Sequence, residues 1–153
     1  MTDGPFPFEV MLDTSVYVDV LEGRTSPTLD RLLAGLTHHS SVALSELTHL
    51  FGRLDPDHPE TANALQRLAD AIDAIPASRL SRPSLRAFGE AGMLAGLAAR
   101  CTGRLHGVEV LNDACLLLHA AEKGHALLTA NIADFDRLQQ LAPQCRVVFY
   151  RRV

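Results

Sequence analysis

Four carboxylates in this sequence stand directly beside apolar segments, where acidic side chains are uncommon. Asp13 follows "VML", Glu46 follows "SVALS", Asp113 opens the run "ACLLLHAA", and Asp134 follows "LLTANIA". Carboxylates that converge within a few ångströms repel one another unless they are protonated or bind a cation. Oxygen ligands without thiolate or imidazole favour Mg²⁺ or Mn²⁺. The sequence therefore predicts a Mg²⁺ or Mn²⁺ site, on the condition that the fold brings these acids together.

Each acid taken alone also permits other roles. Asp13 could cap the helix predicted after it, bind a metal at the carboxyl end of a parallel strand, or act as the nucleophile of a phosphotransferase. Asn112 or Asp113 could be a helix N-cap, and Asp134 an ordinary acid in a first helical turn. Asp19 is interpreted as a solvated acid on a polar helix face. Only the joint placement of the four acids favours the metal site.

Short apolar segments alternate with helical patterns along the chain. Strands are predicted at 8–13, 40–44, 125–130 and 145–150. Helices are predicted at 14–23, 26–36, 45–54, 59–75, 84–101, 110–124 and 132–141, with Ser26 and Pro27 at a helix start and Gly23 and Gly124 at helix ends. Strands separated by helices pair in parallel through right-handed crossovers. The expected fold is α/β, with helices on both faces of a short parallel sheet whose strand-to-helix junctions share one edge.

Length and composition are those of an ordinary globular protein. The chain has 153 residues, of which 47% are hydrophobic and 21% charged, which predicts a single domain at 1–153 with its core at about 9–150. No apolar run approaches the roughly 20 residues of a membrane span, and "MTDGPFPFEV" lacks the pattern of a secretory leader. Cys101, Cys115 and Cys145 are odd in number and far apart. These features predict reduced thiols and a cytoplasmic protein.

The charge balance restricts how the protein could meet nucleic acid. A net charge of −4 argues against broad electrostatic attraction of RNA or DNA, although a divalent cation bound by carboxylates would reverse the local sign. The seven histidines, His106 among them, show no zinc spacing, and His38 and His39 are predicted in a turn. A set of arginines could either approach RNA or line a solvated helix face: Arg79, Arg82, Arg86, Arg100 and Arg104. Arg151 and Arg152 are interpreted as tail residues.

Four stretches of the chain carry a resemblance to a known family. They are "MLDTSVYVDVL", "SVALSELTHL", "LNDACLLLHAAEKGHALLTANIADFDRL" and the terminal "VVFY". Together they resemble the successive signatures of PIN domains, most closely those of VapC-type toxins from bacterial toxin–antitoxin pairs. The resemblance extends from about Val10 to Tyr150 and is most specific from Asp113 to Phe135. It implies a three-layer α/β/α fold with a parallel sheet, Mg²⁺- or Mn²⁺-dependent endoribonuclease activity and a cognate antitoxin.

The resemblance also assigns roles to individual residues. Asp13, Glu46, Asp113 and Asp134 match the family's metal-binding and catalytic acids, and Ser15, Thr129 and Asn131 match the polar positions that support them. One or two cations held by these acids would activate water for attack on phosphorus, leaving a 5′-phosphate and a 3′-hydroxyl. Helices rich in small residues, together with the resemblance, predict a homodimer that binds RNA and an antitoxin.

Two other functions stay open at this point. A non-catalytic PIN-like module that binds RNA or serves as a scaffold would be marked by loss of an acid, whereas all four acids are present. A haloacid-dehalogenase-like phosphatase also begins with an apolar strand that ends in Asp. That mechanism requires a second Asp, the general acid, two residues later, where this chain has Ser15.

Overall fold

The computed structural model describes residues 8–103 and 107–153. Residues 1–7, where the sequence predicts no leader, and Arg104 and His106 lie outside these ranges. The strands of the described residues are β1 (Val10–Leu12), β2 (Thr37–Ser40), β3 (Leu80–Ser81), β4 (Ala126–Thr129) and β5 (Val147–Phe149). The helices are α1 (Thr14–Leu21), α2 (Pro27–Leu33), α3 (Ser41–Arg53), α4 (Thr61–Asp73), α5 (Leu85–Thr102), α6 (Val108–Glu122) and α7 (Ile132–Leu141).

The strands form one sheet in the order β3-β2-β1-β4-β5, and every pairing is parallel. The central strand is β1, in which Met11 lies opposite His38 of β2 on one side and Leu127 of β4 on the other. Both β1 and β4 are buried along their whole length, as expected for parallel strands covered by helices on both faces. The predicted α/β fold, with helices around a short parallel sheet, is confirmed.

The core of the protein lies between this sheet and the helices that flank it. Its largest fully buried side chains include Leu116 and Leu117 of α6, Leu127 and Leu128 of β4, and Phe135 of α7. Every residue from Ala114 to Ala120 is buried, so the core surrounds this part of α6 on all sides. In the part of the chain that the structure describes, no helix has the length and apolar character that crossing a membrane requires.

The second strand begins earlier than the sequence predicted. Residues 40–44 were expected to form it, but β2 ends at Ser40 and "SVAL" opens α3. The Ser40 hydroxyl accepts a hydrogen bond from the Val42 backbone N–H at 3.1 Å and so starts the helix. The turn predicted at His38 and His39 is also wrong, because both residues belong to β2. The Nδ1 atom of His39 forms a buried 2.5 Å hydrogen bond with the hydroxyl of Tyr17.

Two other element boundaries differ from the predictions. Strand β3 is only two residues long, follows a 3₁₀ turn and was not predicted. Helix α6 starts at Val108 with Gly107 as its N-cap, so neither Asn112 nor Asp113 caps it. The predicted helix signals at other ends are confirmed: Ser26 accepts a 3.2 Å hydrogen bond from the Leu29 N–H, and Gly124 has a positive φ of 75° just past α6.

Candidate active site

All four predicted acids line one cleft at the carboxyl edge of the sheet. The cleft has a volume of about 530 Å³ and lies where β1 and β4 end and α1 and α7 begin. Its polar lining consists of Asp13, Thr14, Ser15, Glu46, Glu109, Asp113, Asn131, Asp134 and Arg152. These residues come from segments spread along the whole chain, and the parallel topology brings the strand-to-helix junctions to the same edge. The structure therefore brings together the acids that the sequence singled out.

Asp13 follows β1 directly and is nearly inaccessible, with 5% of its surface exposed. It stands at the N-cap position of α1, yet its side chain makes no capping hydrogen bond. Instead its Oδ2 atom accepts hydrogen bonds from Ser15 Oγ at 2.7 Å and Thr129 Oγ1 at 2.8 Å. Burial raises the pKa of Asp13, and these two hydrogen bonds partly oppose the rise. The two short hydrogen bonds of the Asp13 carboxylate therefore come from hydroxyl groups, while the backbone N–H groups of Thr14 and Ser15 at the start of α1 also lower its pKa.

The three predicted supporting residues all contact this acidic group. Ser15 Oγ also accepts the Ala130 backbone N–H at 3.2 Å, which ties α1 to the end of β4. Thr129 Oγ1 accepts the Asn131 backbone N–H at 3.0 Å. The Asn131 side-chain amide donates to Asp134 Oδ2 at 3.0 Å. One chain of hydrogen bonds therefore fixes the orientation of Asp13 and Asp134 relative to each other.

Glu46 reaches the cleft from the second turn of α3. Its Oε1 atom accepts a hydrogen bond from Thr14 Oγ1 at 2.9 Å, although the two residues are far apart in the sequence. Burial raises the pKa of Glu46, and the negative charge of Asp13 raises it further, against the hydrogen bonds from Thr14 and Asn112. The carboxylate of Glu46 is thus held next to that of Asp13 by α1 itself.

Asp113 lies in the second turn of α6, and the negative charges of the other three acids all act on its carboxyl group. Burial, followed by the charges of Asp13, Glu46 and Asp134, raises its pKa to about 8. Asp134, in the first turn of α7, is exposed on the open side of the cleft. Without a cation, burial and the neighbouring charges therefore favour the protonated form of Asp113.

Sequence reasoning missed some residues of the cleft. Glu109 lies one helical turn before Asp113 on α6 and adds another carboxylate to the lining; the spacing of four residues was an available signal. Thr14 was not singled out, and no pattern in its neighbourhood indicates a contact with Glu46. Asn112 was considered only as a cap.

Arg152 supplies a positive charge to the lining of the otherwise acidic cleft. Its Nε atom donates to Asp19 Oδ1 at 2.8 Å, and Asp19 also binds Arg24 at 2.8 Å and the Tyr150 hydroxyl at 2.7 Å. Asp19 is completely buried, so its interpretation as a solvated acid is wrong. Arg152 was interpreted as a tail residue, but Asp19 binds its guanidinium and Arg152 lines the cleft.

The structure thus gathers these acids at the carboxyl edge of a short parallel sheet that is flanked by helices. No protein-family model matches the sequence, and no curated protein sequence is detectably similar to it. Solved structures are similar in fold, and the similarity spans nearly the whole chain.

One such structure is VapBC2 from Rickettsia felis bound to a DNA fragment from their promoter, with a TM-score of 0.65, 18% identity, and coverage of 93% of this chain and 98% of that chain. DNA-bound VapBC from Salmonella typhimurium gives a TM-score of 0.66, 18% identity and the same 93% and 98% coverage. FitAcB from Neisseria gonorrhoeae gives a TM-score of 0.63, 17% identity, and 92% and 96% coverage. The chain thus resembles VapC-type PIN proteins in fold, as the sequence predicted.

Proposed function

We propose that this protein is a divalent-metal-dependent endoribonuclease and the toxin of a toxin–antitoxin pair. The observation that carries the proposal is the convergence of Asp13, Glu46, Asp113 and Asp134 in one cleft. Burial raises the pKa values of Asp13, Glu46 and Asp113, and the charges of neighbouring acids raise those of Glu46 and Asp113 further. This is a cost in free energy that a bound cation would offset. A site of carboxylate and amide oxygens fits Mg²⁺ or Mn²⁺.

In this proposal, Asp13, Asp113 and Asp134 hold the metal, and Glu46 completes its shell or orients the attacking water. When bound, such an ion supplies Lewis-acid activation of water and of a phosphate oxygen. Ser15, Thr129 and Asn131 keep Asp13 and Asp134 in position through the hydrogen bonds described above. Arg152 offers a charged donor to the phosphate backbone on the rim of the same cleft. No histidine is among the described residues that line this cleft.

Purified protein is expected to cleave RNA in Mg²⁺ or Mn²⁺ and to be inactive in EDTA. The measurement is gel-resolved cleavage of end-labelled RNA, single-stranded and structured, with analysis of the product ends. Attack by water should leave a 5′-phosphate and a 3′-hydroxyl. Cleavage at an equal rate in chelator would contradict a metal mechanism. RNA binding without cleavage in any divalent metal would favour the non-catalytic PIN-like module instead.

The proposed protein partner is an antitoxin. The similar structures bear the names VapBC2, VapBC and FitAcB, and the first two contain DNA, which supports a partner that connects a VapC-like chain to DNA. The gene next to this one is the natural candidate. Co-expression of its product should yield a co-purifying complex in which RNA cleavage is suppressed, and a product that neither binds this chain nor lowers its activity would exclude that candidate.

The proposed homodimer is supported by the outer face of α5. The inner face of this helix buries Ala87, Ala91, Leu94 and Ala98. On the outer face the apolar side chains of Leu85, Phe88, Met93 and Leu97 are exposed, Leu85 by 94% and Met93 by 70%. Gly89, Gly92 and Gly96 lie between them, and a Cβ at any of the three would meet nothing within 4 Å. An interior glycine weakens a helix by about 1 kcal/mol relative to alanine, so the fold of one chain does not explain these glycines.

Close packing of a second copy against α5 would explain both the glycines and the exposed apolar side chains. Light scattering at tens of micromolar protein is expected to give a dimer for the wild type. Gly92→Gln should give a monomer that is at least as stable, because glutamine is the better helix former and has room in the single chain. Gly52→Gln is the matched control, since Gly52 is a helical glycine of α3 with equally open surroundings. A wild-type monomer, or a Gly92→Gln dimer as tight as the control, would contradict this interface.

A further inference from the structure

A second group of metal-binding side chains lies at the opposite edge of the sheet from the acidic cleft. Glu9 Oε2 is 2.7 Å from His38 Nε2 and 3.6 Å from His125 Nδ1. One ligand atom from each residue lies within 4.8 Å of the others. The two imidazole rings stack, with centroids 3.9 Å apart and an interplanar angle of 14°. All three side chains are partly accessible to solvent, by 34%, 20% and 12% in the same order.

The parallel sheet itself places these residues together. Glu9 immediately precedes β1, His38 belongs to β2, and His125 immediately precedes β4. The Glu9 carbonyl accepts the Ala126 N–H at 3.0 Å, which fixes the register between the two amino ends. Glu9 and Asp13 are at the two ends of β1, about 13 Å apart at 3.3 Å per residue. The group is therefore distinct from the acidic cleft, and no proposed role in cleavage involves it.

We propose that Glu9, His38 and His125 form a second metal site, which takes a divalent transition metal of the Zn²⁺ type. Two imidazoles and one carboxylate are a ligand set that favours Zn²⁺ over Mg²⁺, and a fourth position is left for water. Tetrahedral bonds of about 2.1 Å place ligand atoms about 3.4 Å apart. The two distances from Glu9 to the histidines bracket that value. Because an imidazole binds a metal in its ring plane, the two stacked rings must rotate out of their stack for both to reach one ion.

The surroundings leave the Glu9 carboxylate available to such an ion. Arg146 donates to the Gly124 carbonyl at 2.7 Å and lies over the Phe8 ring at 5.0 Å, so its guanidinium already has partners other than Glu9. A bound ion would join the amino ends of β1, β2 and β4, the three central strands of the sheet. The expected effect of the site is stabilisation of the native state by Zn²⁺, independent of RNA cleavage.

Isothermal titration of the metal-stripped chain with Zn²⁺ in excess Mg²⁺ tests the proposal, since Mg²⁺ competes at the carboxylate cleft. Wild type and Asp13→Asn should each bind one Zn²⁺ with equal affinity. His38→Gln and His125→Gln should weaken binding by more than about tenfold, the least that is lost when even an outer hydrogen-bond partner of a metal ligand is removed. Substitution of Co²⁺ should give the visible absorption of a site with imidazole ligands in wild type and not in the two variants.

His58→Gln is the matched control, because His58 is exposed on a loop away from both sites, and it should bind Zn²⁺ like wild type. If His125→Gln does not fold, Glu9→Gln replaces it. Zinc binding by His38→Gln and Glu9→Gln that is as tight as in the control would overturn the proposal, and the three residues would then be a hydrogen-bonded cluster only. Loss of Zn²⁺ binding in Asp13→Asn alone would overturn it too, by assigning the ion to the acidic cleft.

Discussion

Replacing Asp13 by asparagine is expected to reduce RNA cleavage by at least about 100-fold, the upper end of the loss seen when an outer partner of a metal ligand is removed. The change is nearly isosteric, and the asparagine amide oxygen can still accept the hydrogen bonds from Ser15 and Thr129. The fold should therefore persist while one negative charge leaves the cleft. The measurement is the rate of cleavage of labelled RNA in Mn²⁺, with circular dichroism as the check on folding.

Asp136→Asn is the control for this experiment. Asp136 is an exposed acid of α7 that accepts a hydrogen bond from Gln140 at 2.9 Å and does not line the cleft. The control removes the same charge from the same region and should cleave like wild type. If Asp13→Asn and Asp136→Asn were equally active, Asp13 would be a structural residue between β1 and α1, and the metal mechanism would lose its first ligand.

The second large effect concerns the pH dependence of metal binding. The pKa of Asp113 is raised to about 8, first by burial and then by the neighbouring acids, so a cation that binds at neutral pH must displace its proton. Mn²⁺ affinity should therefore rise about tenfold per pH unit between about pH 6 and pH 8, and level off above the pKa. Titration calorimetry in buffers of different ionisation enthalpy would show both the affinity and the released proton.

The stability of the metal-free protein changes with pH in the opposite direction to its metal affinity. Because the pKa of Asp113 is higher in the folded chain than in the unfolded one, the unfolded state loses its proton first, and stability falls as pH rises from about 4 towards about 8. Asp113→Asn should remove most of this fall and should bind Mn²⁺ weakly with a much smaller pH slope. An affinity of wild type that does not change between about pH 6 and pH 8 would show that Asp113 is not a ligand.

The parts of the site that could be predicted from the sequence are those marked by local pattern. An acid directly after an apolar strand, as at Asp13, or just past "LLTAN", as at Asp134, falls at a strand-to-helix junction whatever the exact boundaries are. Parallel topology then brings the junctions to one edge. For this reason an error in the second strand, which starts at Thr37 and not at residue 40, did not misplace Glu46.

The contacts that could not be predicted join segments far apart in the sequence. The sequence pattern places Asp19 on a polar helix face. In the structure the C-terminal segment packs over Asp19, and Tyr150 and Arg152 donate hydrogen bonds to it. His38 and His125 show no zinc spacing because β2 and β4, which lie on the two sides of β1, and not a motif, bring their rings together. The polar residues of "THHS" do not have the composition of a typical strand, so β2 was not predicted there. Its pairing with β1 and β3 stabilises it, and such tertiary contacts cannot be predicted from local propensity.

Thermal melts at about pH 7.5 test most directly whether the four acids form one metal-binding cluster. Mn²⁺ at about 100 times its Kd should stabilise wild type by about 2.7 kcal/mol, which raises the melting temperature by about 5 to 10 °C in a domain of this size. In EDTA, Asp13→Asn should melt higher than wild type, because a buried charge that repels its neighbours is gone, and Mn²⁺ should then add little. If Asp13→Asn instead melts lower than wild type in EDTA and gains as much from Mn²⁺, the acids do not act as one metal-binding cluster.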